Sequence, residues 1–136
     1  MALELFSLIV DDYDTAIEFF TGTLGFVLAE DSPSLTTDGR PKRWVVVRSP
    51  DGGAGLVLAR ADSDEQTATV GHQFAGRVGL FLRVDDFDGT LSGVLHSGCT
   101  VVRSPRDEAY GRVCVFEDRG ATSGTSSAHL LTEVRW

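Results

Sequence analysis

Cysteine is scarce. Only Cys99 and Cys114 occur in the 136 residues, and both lie in apolar, strand-like runs. Two thiols in a chain of this length do not build a disulfide framework. Both are expected as buried, reduced side chains without redox or catalytic work. Clustered positive charge is also lacking. The net charge is −8, and the basic residues stand singly or in pairs such as Lys42-Arg43. That balance argues against nucleic acid as a partner and disfavours an anionic membrane surface. No apolar run approaches the roughly 20 residues that span a bilayer. The opening Met1-Ala2-Leu3-Glu4 carries no basic stretch of the kind that begins a secretion signal. A cytoplasmic location is the expectation. Three catalytic signatures are absent as well: a Gly-x-Ser-x-Gly elbow, a phosphate-cradling glycine loop and a Cys-x-x-Cys pair.

What is present is an internal repeat. Val10-Asp11-Asp12-Tyr13-Asp14 recurs as Val84-Asp85-Asp86-Phe87-Asp88, an offset of 74 residues. Each copy follows a short apolar run, Leu5 to Val10 and Gly79 to Val84, that reads as a buried strand. Each precedes an amphipathic helix. Tyr13, Ala16, Ile17, Phe20 and Leu24 share one helical face, and Phe87, Thr90, Leu91 and Val94 repeat that rhythm. Asp12 and Asp86 are placed to cap the two helices. Gly25 and Gly98 are placed to end them in a left-handed conformation.

Three strands follow each helix. In the first half they are expected at Phe26–Glu30, Arg43–Arg48 and Gly55–Ala59, with Asp51-Gly52-Gly53 as a turn. In the second half they are expected at Thr100–Arg103, Arg112–Phe116 and Ala128–Val134. Asp31–Pro41 reads as a long polar hairpin loop. Ala61–Gly76 reads as a polar linker containing His72. The expectation is an α+β fold of two βαβββ units, about residues 3–60 and 77–134, forming one domain over 1–136. Helices would cover one face of curved mixed sheets and leave the other to line a pocket.

The repeat, together with Tyr110-Gly111-Arg112 and Val115-Phe116-Glu117-Asp118, resembles the vicinal oxygen chelate superfamily over about residues 3–118. That superfamily includes glyoxalase I, extradiol dioxygenases, fosfomycin-resistance enzymes and bleomycin-binding proteins. The resemblance implies one divalent metal held by four side chains, two from each repeat. Those positions carry over to Leu5, Gly55, Gly79 and His129. Three of the four bear no donor atom, and a divalent ion needs several oxygen or nitrogen ligands. Glu4, Glu133 and His72 do not restore the set: Glu4 faces away from Leu5, Glu133 is at the chain end, and His72 is on the linker. His96 falls on the polar side of the second helix and reads as surface. The family's turn before the last strand is replaced by a small-residue loop, Asp118 to Ser127.

Without a metal, the pocket would act through shape and a few polar groups. Alternation places Ser7, Val57, Phe81 and Arg83 on the same faces as Leu5, Gly55 and Gly79. Trp44, Val46 and Arg48 alternate on the third strand, their face left open by the sequence. Tyr110 is where the family places an aromatic residue at the pocket mouth, and Arg112 follows it. The resulting ligand-binding set is Ser7, Trp44, Val57, Phe81, Arg83, Tyr110, Arg112 and His129. The expected function is metal-free and cofactor-free binding of a small apolar or aromatic molecule, by a homodimer. The alternatives are a metal-dependent lyase or dioxygenase with shifted ligands, and a subunit whose pocket is vestigial.

Overall fold

The computed structural model describes residues 1–117 and the strand 128–131. Its elements run β1 (Leu5–Val10), α1 (Tyr13–Glu18), β2 (Val27–Leu35), β3 (Pro41–Arg48), β4 (Gly55–Arg60), α2 (Asp64–Thr69), β5 (Leu80–Arg83), α3 (Phe87–His96), β6 (Thr100–Glu108), β7 (Gly111–Glu117) and β8 (Ala128–Leu131). They form two mixed four-stranded sheets of like order, β1-β4-β3-β2 and β5-β8-β7-β6. The first strand of each half pairs in parallel with the last, and the other pairs are antiparallel.

Both helices begin as the repeat requires. The Asp12 carboxylate accepts from the Thr15 N–H at 2.8 Å, and that of Asp86 accepts from the Gly89 N–H at 3.0 Å. Gly25 and Gly98, with φ of 73° and 93°, end the helical segments in the left-handed region. A π-helical turn, Phe19–Thr23, continues α1. Phe19 and Phe20 are both buried, whereas the helical face read from the sequence held Phe20 alone. One apolar cluster joins the halves: Leu8, Val10, Phe20, Val45, Val47 and Leu58 meet Phe87, Val94, Cys114 and Phe116. Cys99 and Cys114 are buried and free, and burial pushes the Cys114 thiol up.

Three expected boundaries move. The hairpin loop contracts to residues 36–40, because Asp31 through Leu35 pair with Val45 back to Pro41. That extension has polar residues on both faces, so it carries no apolar alternation to reveal a strand. The strand expected to end at Arg103 runs on to Glu108, across two register irregularities. The linker contains α2, capped by the Ser63 hydroxyl, which accepts from the Gln66 N–H at 3.1 Å. The last strand begins at Ala128 as expected; residues 132–134 lie outside the described part.

Asp12→Ala is expected to lower the unfolding free energy by about 1 kcal/mol at neutral pH in urea denaturation. Solvent exposure sets that effect toward the lower end of the capping range. The Asp12 carboxyl lies below its ordinary value of 3.8, chiefly through the Thr15 hydroxyl and then the Thr15 backbone N–H. A carboxyl lowered on folding stabilises the protein above its unfolded pKa and loses that effect as pH falls through the folded one. The gap between wild type and variant should therefore close below about pH 4. A gap persisting at pH 2 would show that the carboxylate charge is not its source.

Candidate functional site

Side chains of the first sheet divide cleanly. Val45 and Val47 point into the helix-covered core, so Trp44, Val46 and Arg48 occupy the opposite, open face. Register puts Ser7 beside Val57, Val57 beside Val46 and Val46 beside Glu30 in one row across that face. Leu5 stands beside Gly55 in the next row. The face choice that the sequence left open is thus resolved.

A cleft of about 300 Å³ opens at the end of this sheet, between the β2–β3 hairpin, the end of β4 and the start of the linker, and takes side chains from both faces. Ser7, Val57 and Trp44 line it, bringing together three of the residues expected from the sequence. The Trp44 indole N–H donates to Glu30 at 2.9 Å, which fixes the ring. Tyr13, Lys42, Arg43, Arg60, Asp62 and Gln66 also line the cleft. Sequence reasoning missed them, since charges at the ends of strands look like an ordinary solvated surface.

One knot of interactions shapes this corner. The Arg43 guanidinium donates to both oxygens of Asp31 at 3.0 and 2.7 Å, and to Asp14 at 2.9 Å. These carboxylates raise the Arg43 pKa above its usual value, and Arg43 in turn lowers that of Asp31. The Arg43 main-chain N–H donates to the Tyr13 hydroxyl at 3.2 Å. The Arg43 and Arg60 guanidinium carbons lie 5.1 and 5.3 Å from the Tyr13 ring centre, within cation–π range.

The remaining expected residues are elsewhere. Phe81 and Arg83 are on β5 in the second sheet, and the Phe81 side chain is 63% exposed. Tyr110 is exposed at the β6–β7 turn. Arg112 belongs to the helix-covered side: it bonds Asp88 at 3.1 Å and lies 4.9 Å from the Phe87 ring centre. Arg112 does not line the cleft of the first sheet. His129 pairs through its main chain with Phe81 and with Val115. Its side chain lies outside what is described.

That register corrects the repeat alignment. In the first half the residue beside Ser7 and Val46 is Val57, so His129 corresponds to Val57 and not to Gly55. The constant offset of 74 fails because the loops differ. The first hairpin turns through residues 36–40, whereas the second turns through Ala109 and Tyr110 alone. The position level with Gly55 falls at residue 127, outside the described part.

The metal-ligand positions do not fit a divalent ion. Leu5, Gly55 and Gly79 offer no donor, and the space beside the glycines is filled. A side chain at Gly55 would meet Leu5 at 2.9 Å and the Arg48 side chain at 3.1 Å. Arg48 brings a positive charge to that point and is ion-paired with Glu4. A side chain at Gly79 would fall within the Phe74 ring. Among the described residues, no three His, Cys, Asp or Glu side chains come together as a metal site. His96 is on the exposed face of α3, its ring within 2.7 Å of the Ser92 carbonyl.

Two like-ordered mixed sheets, each backed by a capped helix and closed by a parallel pair, define the paired βαβββ class of α+β proteins. The chain belongs to the Glyoxalase/Bleomycin resistance protein/Dioxygenase superfamily, whose family model matches residues 2–121. It is 45% identical over 113 residues to an uncharacterised protein of Shewanella frigidimarina, covering 82% of each chain. Among solved structures it is similar to TnmS3, an antibiotic binding protein from Streptomyces sp. CB03234. That match has 28% identity and a TM-score of 0.70 over 98% of this chain and 96% of that one. A glyoxalase family protein from Bacillus cereus shares the fold at 22% identity, with a TM-score of 0.76 over 99% of this chain and 95% of that one. No helix among the described residues is long and apolar enough to cross a membrane.

Gly79→Ala is expected to destabilise the protein by about 1–3 kcal/mol, because the new methyl group must displace the Phe74 ring. The penalty should shrink in a Phe74→Ala background, measured as a double-mutant cycle by urea unfolding. Equal penalties in the two backgrounds would mean that the ring does not cover this position.

Proposed function

We propose that the protein binds a small apolar or aromatic molecule without a metal or cofactor, in the manner of the antibiotic-binding members of its superfamily. The observation that carries this reading is the loss of the ligand shell. Three expected ligand positions have no donor atom, and Leu5, Arg48 and Phe74 fill the space that ligands would have needed. A cleft lined by Trp44 and Val57, with polar groups at its rim, is the ordinary form of a small-molecule site. The likeness to TnmS3 supports the same conclusion. Within this proposal residues 1–136 act as one domain in the cytoplasm. Two chains form a dimer that covers exposed apolar side chains such as Phe81, Val27 and Leu35.

The test is metal content and ligand response measured together. Protein purified without chelating resin should contain no stoichiometric Zn, Ni, Mn or Fe, and added divalent ions should not raise its Tm. Aromatic ligands should raise it, because binding to the native state alone adds RT ln(1 + [L]/Kd) to stability. One metal per chain, lost together with an activity on His129→Ala, would favour the rival lyase or dioxygenase. Light scattering should give roughly twice the 14.6 kDa chain mass. A clean monomer would remove the dimer from the proposal.

A further inference from the structure

The cleft is unusual for its charge. The chain as a whole carries −8, yet four cations, Arg40, Lys42, Arg43 and Arg60, line this cleft against one acid, Asp62. The four are not equivalent. Arg43 is matched by Asp14 and Asp31, and Arg40 by Asp38 and Asp62. Lys42 and Arg60 have no carboxylate within ion-pair distance among the described residues. Asp12 exerts a longer-range attraction on Arg60, but its carboxylate is bonded to the Thr15 hydroxyl and N–H. Arg60 is held against the Tyr13 ring, and Tyr13 is itself fixed by the Arg43 main chain. A guanidinium offers N–H donors that carboxylate and sulfonate groups match. Trp44 adds an aromatic surface to the same cleft, locked by its bond to Glu30.

We propose that this cleft selects an anionic aromatic compound, its acid group held by Lys42 and Arg60, which reach the cleft from the open face and from the helix side of the sheet end, and its ring against Trp44. The inference rests on the small-molecule reading above and narrows it to a charge class. Ligand charge then complements the two unmatched cations, while the surrounding acidic surface repels anions that lack an aromatic ring to hold them.

Two fluorescent probes separate the claims: anilinonaphthalenesulfonate, and phenylnaphthylamine, which has the same ring system without the sulfonate. Titration of the full chain should show the sulfonate binding about tenfold more tightly, the scale of a charge-assisted hydrogen bond. Lys42→Gln with Arg60→Gln should remove that advantage and leave the neutral probe unchanged. Arg106→Gln, on β6 of the other half, should alter neither. Lys42→Gln alone should lose part of the advantage, which keeps the test valid if Arg60→Gln disturbs Tyr13. Equal affinity for both probes, or a sulfonate preference that survives the double variant, would overturn the charge selection while the small-molecule reading stands. Binding of neither probe would overturn both.

Discussion

The parallel pairing of β1 with β4 is the constraint on which the first half depends. A strand at one end of a segment returns to lie beside a strand some fifty residues later, with Leu5 opposite Gly55 through Val10 opposite Arg60. Closing so long a loop has an entropic cost that the apolar core must offset. Once made, the register assigns every side chain. Leu8, Val10, Leu56 and Leu58 face the helices, and Leu5, Ser7, Gly55 and Val57 face away. A slip of one residue would exchange the two sets and bury Ser7. The β5–β8 pair repeats the arrangement in the second half, so each half is closed by its own first and last strand.

Most of this architecture was legible because it rests on local signals. The two Val-Asp-Asp motifs mark the strand-to-helix junctions, and Asp12 and Asp86 cap as their spacing implies. Gly25 and Gly98 mark the ends through positive φ. What stayed hidden depends on pairing rather than composition. Ser32, Pro33 and Ser34 become strand because β3 lies beside them, not through any β-forming preference of their own. The correspondence of His129 with Val57 depends on turn lengths, which no motif reports. The cleft was half legible: Ser7, Val57 and Trp44 follow from alternation. Tyr13, Lys42 and Arg60 reach the same place from a helix start, a hairpin and a strand end that only the tertiary fold brings together.

Charge shows the same division of labour. The cations at this corner are sorted by geometry into structural and available groups. Arg43 ties α1 to β2 through Asp14 and Asp31, with a bidentate bond to the latter. Arg40 braces the hairpin tip against Asp62 at the start of the linker. Such exposed pairs stabilise little singly, but they restrict where the hairpin can stand, and the hairpin forms one wall of the cleft. Lys42 lies between these two arginines in sequence without sharing their carboxylates.

The linker accounts for the filled space at Gly79, the expected ligand position at the start of the second half. Gln73 lies along the free edge of β1, its side-chain amide accepting from the Ile9 N–H and donating to the Ile9 carbonyl, both at 2.8 Å. It satisfies an edge residue much as a neighbouring strand would. The next residue, Phe74, covers Gly79 at the entrance to β5. Two consecutive side chains thus fasten the linker to the first sheet and to the start of the second. The first contact needs an open edge at Ile9, and the second needs the missing side chain at Gly79. Restoring a ligand at Gly79 would therefore displace Phe74 and strain the segment that carries Gln73. A larger side chain at Gly79 and this attachment of the linker therefore exclude one another: the space beside Gly79 is occupied by Phe74, in the joint between the two halves.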